Sequence, residues 1–452
     1  MANSETEPNK TLDNPFPIQA AANLRLLTLR FIALALLLAA LTGRPVVCGF
    51  AIFALFVLWF TARASRYLLV RHFVGLQELR VDSNEGEGDE GLPGVTVIAP
   101  SRNEEAGVEE AVRSLAALDY PKLEIFAIND HSTDGTRAIL ERLAPEMPHV
   151  RIVHDPPVQE GWLGKANAIW YAVHQANPEH KWLLLADGDV VFHSKVVRRA
   201  VAYAEAEGYD FLTCVPPLDN RTFSEQLTLP MAWRGIIINA RPGKINDPSV
   251  TPIGVGAFIL VKRDVYLESG GHSRIRNQQP EDTLLAALIR DRGGNMGVAW
   301  TSHMLRVRLY RGYRDLVTVS VRKARVICDD NRTALFSAGV FVVLLYILPL
   351  PLAIAALGLM WASYGFLWML SAFALAAFIT YVEVALGSWA SRPIASMAWY
   401  VPWVHPLGGL LRVWVHVRAM AQVTLKRQMD WRGRDFANVR ANNAEQIAVK
   451  DD

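Results

Sequence analysis

The stretch Trp182-Leu183-Leu184-Leu185-Ala186-Asp187-Gly188-Asp189 limits what this chain can fold into more than any other. Leu183 to Ala186 read as a strand buried on both faces, as in a sheet covered on two sides. Such a strand has no reason to end in two carboxylates unless they face solvent, a metal or a ligand, because an unpaired buried carboxylate is costly. On extended chain alternate side chains share a face, so Asp187 and Asp189 can converge on one cation. Two carboxylates with open positions suit Mg²⁺ or Mn²⁺ also held by a substrate's phosphates. The plainer reading is a turn, since Asp-Gly is common turn chemistry. Taken alone, the stretch leaves both open.

Its surroundings decide more. Strands are predicted at Val95–Ala99, Leu123–Ile128, Val150–Val153 and Trp182–Ala186. Helices are predicted between them at Glu105–Leu118, Thr133–Leu143 and Lys165–Ala176; the first carries Val108, Val112, Leu115 and Leu118 on one face. This alternation means right-handed βαβ units, a parallel sheet and an α/β fold. Ligands on such sheets bind beyond the carboxyl ends of the strands. The unusual polar groups fall there: Ser101-Arg102-Asn103-Glu104, Asn129-Asp130-His131 and Asp187-Gly188-Asp189. Three strand ends supplying acids and amides to one edge point to a site.

Further along, Arg221 to Ala240 is apolar but interrupted by Pro230 and Arg234, so it reads either as an interfacial helix or as core. Thr251 to Leu260 reads as a strand entered through glycines. Gly254 and Gly256 there mark either a close backbone or ligand approach or a plain bulge. Gly270-Gly271-His272 is a loop. Glu281 and Asp282 start a helix running to about Arg290. An acid at a helix start is often a cap, but two adjacent acids leave one to point elsewhere.

The 452 residues are 51% hydrophobic and their mean hydropathy is +0.16, which calls for membrane segments. Residues 1–22 read as a loose polar tail rather than a secretory signal. Residues 23–70 read as a transmembrane hairpin and 71–94 as an acidic, glycine-containing linker. A soluble domain is expected over 95–330, a membrane region over 331–425 and a cytosolic tail over 426–452. Ala334–Leu359 and Ser363–Leu386 are the expected C-terminal spans, the first kinked by Pro349 and Pro351. Met397 to Ala421 reads as re-entrant or interfacial. Arg25, Arg30, Arg63, Arg66 and Arg71 flank the first hairpin on one side, so a cell-membrane protein with its catalytic domain in the cytosol is expected. The basic tract from Arg306 to Arg325 fits the same topology, or a diphosphate clamp from one or two of its members. A net charge of +2 gives no argument for nucleic acid. Three scattered cysteines, Cys48, Cys214 and Cys328, form no metal or disulfide framework.

Read together, the motifs resemble family 2 glycosyltransferases. They are Ala99-Pro100-Ser101-Arg102-Asn103-Glu104-Glu105, Asn129-Asp130-His131-Ser132-Thr133-Asp134-Gly135-Thr136, Gly161-Trp162-Leu163-Gly164-Lys165-Ala166, Asp187-Gly188-Asp189 and Glu281-Asp282, in that order. Trp431-Arg432-Gly433-Arg434 resembles a tail motif of lipid-glycosylating membrane members such as ceramide glucosyltransferases. Gly161 to Lys165 and the layout of spans look most like bacterial hopanoid-associated glycosyltransferases. The resemblance covers about Val95 to Arg434. It implies a nucleotide-diphospho-sugar transferase domain of the GT-A type, with a mixed, mostly parallel sheet.

The resemblance also implies roles. Asp130 would hydrogen-bond the uracil of a UDP-sugar, with Arg102 and Glu104 lining the nucleotide pocket and Lys165 facing the nucleotide. Gly256 joins them as a close-approach position. Asp189 would hold the divalent metal on the diphosphate, with Asp187 toward the sugar or ribose. Asp282 would be the base that deprotonates the acceptor hydroxyl, beside Glu281. One base and no carboxylate nucleophile implies inversion. Arg322, Arg325, Trp431 and Arg432 are the candidate diphosphate clamp. The Gln-X-X-Arg-Trp motif of processive synthases is absent, which favours one transfer to a lipid or lipid-linked hydroxyl at a bilayer. Two other readings stay open: a polysaccharide synthase, and an inactive nucleotide-sugar-binding scaffold.

Overall fold

A computed structural model describes residues 91–427, apart from 241, 302, 363–376 and most of 379–395, together with strand residues 430–431 and 434–435. The expected tail, N-terminal hairpin and most of the linker lie outside the described residues.

The first half alternates as expected. β1 (Val95–Ser101), β2 (Leu123–Asn129), β3 (Val150–His154) and β4 (Trp182–Leu185) alternate with α1 (Val108–Ala116), α2 (Thr136–Leu143) and α3 (Gly164–Gln175). Both α1 and α2 start about three residues later than predicted. The preceding residues are used otherwise: Asn103 N–H donates to Ser132 Oγ at 3.0 Å, and Thr133 N–H donates to Asn103 Oδ1 at 2.8 Å. Side-chain partners of this kind compete with helical hydrogen bonding.

The second half supplies β5 (Val191–Phe192), α4 (Val196–Ala206), β6 (Phe211–Val215), α5 (Phe223–Ala240), β7 (Ile259–Lys262), α6 (Arg263–Glu268), α7 (Glu281–Asp291), β8 (Met296–Trp300) and β9 (Leu305–Arg306). Seven strands make one sheet, ordered β3-β2-β1-β4-β7-β6-β8. β7 runs against β4 and β6, and the other pairings are parallel, so the sheet is mixed and mostly parallel. The predicted strand Thr251–Leu260 is shifted to Ile259–Lys262. Phe258 N–H closes a turn onto Val255 O at 2.9 Å, so the glycine stretch is a loop feeding the strand. Trp182, Phe126, Phe211 and Phe258 are fully buried in the core. Each such side chain contributes on the order of 2 kcal/mol through burial.

The C-terminal part packs α8 (Tyr313–Ile327), α9 (Arg332–Val342), α10 (Pro349–Ala362) and α11 (His405–Thr424). The expected span Ala334–Leu359 is not one α-helix. A π turn at Val343–Ile347 separates α9 from α10, and Leu348 N–H reaches back to Val343 O at 2.9 Å. Pro349 and Pro351 bring no N–H to continue the α ladder. Among the described residues no single helix is long and apolar enough to cross a membrane. Only the pair Tyr313–Ile327 and Arg332–Ile347, bent by 120°, meets that test together, by length and composition. The second expected span, Ser363–Leu386, lies largely outside the described residues.

Of the two possibilities for α5, core holds over its first half. Leu227 packs with Met397 and Val401, and Met231 with Val342, Tyr346 and Val384. Met397 to Ala421 forms a 3₁₀ turn at Val401–Val404 followed by α11. Gly408 of α11 sits where a Cβ would be 2.6 Å from Leu227 O. The opposite face of α11 leaves Leu407, Leu410, Trp414 and Val417 exposed.

Candidate active site

The sheet brings the predicted acids together through its one reversed strand. Leu185 of β4 pairs with Ile259 of β7. The loop entering β7 therefore lies at the carboxyl end of β4, and Gly256 arrives beside Asp187. A Cβ on Gly256 would be 3.1 Å from Lys165 Nζ and 3.2 Å from Asp187 Oδ2. Gly254 lies against the backbone of Asp282, where a Cβ would be 2.1 Å from its carbonyl oxygen. Both glycines thus mark close approach rather than a bulge.

Lys165, at the start of α3, joins two acids. Its Nζ is 2.5 Å from Asp187 Oδ1 and 2.9 Å from Glu281 Oε1. Asp282 is held from two sides: Gly256 N–H donates to Oδ2 at 3.2 Å, and Thr283 N–H donates to Oδ1 at 2.7 Å. One cavity is lined by Lys165, Gly256, His272, Glu281 and Asp282.

The charges in this cluster are unequal. Desolvation, then the Glu281 charge, push Asp282 up to about 6. Desolvation works the same way on Glu281, but the Lys165 charge and hydrogen bond outweigh it and hold that carboxyl below its usual range. Lys165 is raised, because Asp187 and Glu281 overcome its desolvation. The cluster therefore keeps Glu281 ionised and leaves Asp282 able to take up a proton near neutral pH. That is the pattern of a paired acid with a separate base.

A second cluster joins the ends of β1 and β2. Arg102 Nη1 donates to the carbonyl of Asp130 at 3.0 Å, and Asp130 N–H donates to Ser101 O at 2.8 Å. Glu104 N–H donates to Thr136 Oγ1 at 2.9 Å. The Asp130 carboxylate is buried, 3.2 Å from His131 Nδ1. Asn129 braces the loop that follows β2. Its amide donates to Asp155 Oδ1 at 3.2 Å, and its oxygen accepts from Ser132 N–H at 3.3 Å.

The glycine between Asp187 and Asp189 is required by packing. A Cβ on Gly188 would be 2.0 Å from Ser101 Oγ and 2.7 Å from Pro100 O. Asp189 follows near the start of α1, where Gly107 separates its Cβ from the guanidinium of Arg311. The pairing of β5 with β9 (Val191 with Arg306) carries the stretch ending in Arg311 to that place. Arg306 is itself ion-paired to Glu110. Arg311 is exposed and, among the described residues, makes no ion pair.

Among the described residues, no three His, Cys, Asp or Glu side chains form a metal-binding group. One oxygen of Asp187 is already against Lys165. The two carboxylates at the end of β4, Asp187 and Asp189, could hold a cation only with further oxygen donors. Carboxylate donors of this kind suit a hard cation such as Mg²⁺ or Mn²⁺.

Of the four expected clamp residues, Arg325 is engaged within the protein. Arg325 is buried in α8, and its guanidinium donates to Asp330 at 2.8 and 2.9 Å and to Arg427 O at 3.1 Å. The Arg427 bond ties α8 to the residues just after α11, and all three guanidinium nitrogens are engaged by protein acceptors. Arg322 is half-buried on the same helix. Trp431 belongs to a short hairpin of Asp430–Trp431 with Arg434–Asp435, and Arg432 lies outside the described residues. Arg311, a member of the basic tract that the sequence does not single out, lies by Asp189, and His272, to which the sequence alone assigns no site role, lies by the acid pair. The signal for His272 is the double glycine before it.

Residues 96–270 match the family model described as glycosyl transferase family 2. A beta-monoglucosyldiacylglycerol synthase of Synechocystis sp. is 32% identical over 113 residues, 25% of this chain and 23% of that protein. A poly-beta-1,6-N-acetyl-D-glucosamine synthase of Staphylococcus aureus is 30% identical over 137 residues, 29% of this chain and 32% of that protein. The chain thus spans less than a third of the length of either relative. Among solved structures, a mannosyltransferase from Pyrobaculum calidifontis in complex with GDP-Man and Mn²⁺ is 17% identical with a TM-score of 0.46, covering 88% of this chain and 99% of that one.

Proposed function

We propose that this chain, which carries a glycosyl transferase family 2 domain, is a membrane-bound inverting glycosyltransferase. It moves one sugar from a UDP-sugar to a hydroxyl of a lipid or lipid-linked acceptor. The observation that carries this reading is the cavity where Asp282, bound by Gly256 N–H, sits beside the Lys165 bridge between Asp187 and Glu281. Asp282 takes the acceptor's proton as the hydroxyl attacks the anomeric carbon. Glu281 stays ionised on Lys165 and keeps that ammonium in place. Asp187 orients the donor, and Arg102, Glu104 and Asp130 form the nucleotide pocket of a GT-A-type domain. Asp187 and Asp189 would hold Mg²⁺ or Mn²⁺, which neutralises the leaving diphosphate.

The membrane and the lipid acceptor are supported by three features. Leu407, Leu410, Trp414 and Val417 form an exposed apolar face on α11. Trp399, Tyr400 and Trp403 are exposed just before it. One relative is named for making a glucosyl diacylglycerol. The arginine distribution in the sequence supports a cell-membrane location with the domain on the cytosolic side. The relative named as a polysaccharide synthase favours a second reading, repeated transfer to a growing glycan. A screen of UDP-sugars with the purified full chain, Mn²⁺ or Mg²⁺ and native lipid extract, read by mass spectrometry, separates them. Single-sugar glycolipids support the first reading, and a polymer ladder supports the second. Asp282→Asn is expected to abolish transfer while UDP binding survives; full activity in that variant would remove Asp282 as the base.

A further inference from the structure

Gly270 and Gly271 both have positive φ, 81° and 47°. A Cβ on Gly271 would be 2.5 Å from Cζ of Tyr266. The loop after α6 can therefore close on the buried Tyr266 ring, and it delivers His272 to the interior, 2% exposed. The Tyr266 hydroxyl accepts from His272 N–H at 3.2 Å and lies 2.8 Å from His272 Nδ1. A hydroxyl carries one proton. If Nδ1 also donated to it, that proton would be buried without an acceptor among the described residues, which is costly. The favoured arrangement has Tyr266 donating to Nδ1, so the imidazole carries its proton on Nε2. With Nδ1 taken by Tyr266, Nε2 is the ring nitrogen left to face the cavity that His272 lines with Lys165, Gly256, Glu281 and Asp282. Burial also keeps the ring neutral, with its pKa pushed down to about 4.

We propose that His272 is a positioning residue: a neutral imidazole, aimed by Tyr266, whose Nε2–H points across the cavity at the carboxylates of Glu281 and Asp282 and favours their ionised forms. This rests on the reading of Asp282 as the base. The charged groups facing it are Lys165 from α3 and Glu281 and Asp282 from α7, with Asp187 from the end of β4 behind Lys165.

The test is NMR of the full-length protein in detergent, without substrate. Histidine ¹⁵N signals, assigned with His272→Gln, are expected to show a neutral Nε2–H ring from pH 6 to 8. Tyr266→Phe is expected to mix the tautomers. Aspartate side-chain ¹³C titration is expected to place Asp282 about one pH unit higher in His272→Leu, with His272→Gln restoring it because its amide still donates. The acid limb of transfer should move with it while donor KM stays constant. An Nδ1–H or cationic ring at pH 7, or an unshifted Asp282 in His272→Leu, overturns the proposal. Absence of turnover in unsubstituted protein would instead sink the transferase reading, and the two titrations still decide His272.

Discussion

The backbone N–H of Gly256 donates to Oδ2 of Asp282 at 3.2 Å, joining the loop before the reversed strand to the first turn of α7. The same glycine faces Lys165 and Asp187 closely enough that a methyl group would crowd both. Gly256→Ala should therefore disturb the Lys165–Asp187 pair without opening the core. A displacement of a few tenths of an ångström at a reacting centre is expected to lower kcat on the order of tenfold to a hundredfold. The thermal midpoint should change little. Unchanged steady-state kinetics in a normally folded Gly256→Ala would mean that the loop is not part of the site.

Asp282 also sets an expectation for pH. Its folded pKa of about 6 lies above the ordinary value of 3.8. The folded state then binds more protons than the unfolded state between those values. Its contribution to stability is full below about 3.8 and is lost as pH rises through about 6. Activity moves the other way, because only the ionised carboxylate accepts a proton. Transfer should rise with pH through an acid limb near 6. Asp282→Asn should gain a few degrees in thermal midpoint relative to the unsubstituted protein as pH goes from about 4.5 to about 7.5. Parallel melting curves at both pH values would show that Asp282 is not perturbed.

Much of this is legible in the sequence because the relevant signals are local. The apolar run from Trp182 to Ala186 and the acids after it determine a strand end, and the polar motifs at β1 and β2 repeat that logic. Glu281 and Asp282 are readable as a helix start with an acid to spare. What is not legible is non-local. Nothing in Thr251–Leu260 says that β7 reverses direction, yet that reversal brings Gly256 to Asp187. The alternation that marks the first half is lost around α4, β6 and β8, where long loops and a reversed strand intervene. The basic tract misleads at Arg325 because a charge count does not show which guanidinium finds Asp330. The double glycine before His272 is visible in the sequence, but its partner Tyr266 is visible only in three dimensions.

Gly188 supplies a stability test that leaves the chemistry aside. Its α-carbon faces the end of β1, and a methyl group there would overlap Ser101 Oγ and press on Pro100 O. Overpacking of this kind costs about 1–3 kcal/mol. Gly188→Ala should lower the thermal midpoint clearly. Adding Ser101→Gly should recover part of the loss, since the clash with the Pro100 carbonyl remains. If Gly188→Ala melts normally, the Asp-Gly-Asp glycine is there for its turn and not for close packing.

The two arginines separate a structural cation from one available to a ligand. Arg325 is buried and its donors are taken by Asp330 and Arg427 O. Arg325→Ala should strand the Asp330 contact and loosen α8 from α11, at a cost of about 2 kcal/mol, with donor KM unchanged in whatever protein folds. Arg311 is exposed beside Gly107 and Asp189, so its loss should leave stability nearly unaltered. If the diphosphate lies at Asp189, Arg311→Gln removes one charge-assisted contact and should raise donor KM about tenfold. Raising ionic strength should narrow the gap between Arg311→Gln and the unsubstituted protein, because an exposed cation is screened. Melting curves and donor titrations on the two variants give opposite patterns if these assignments hold. A donor KM that rises in Arg325→Ala but not in Arg311→Gln would return the clamp to α8.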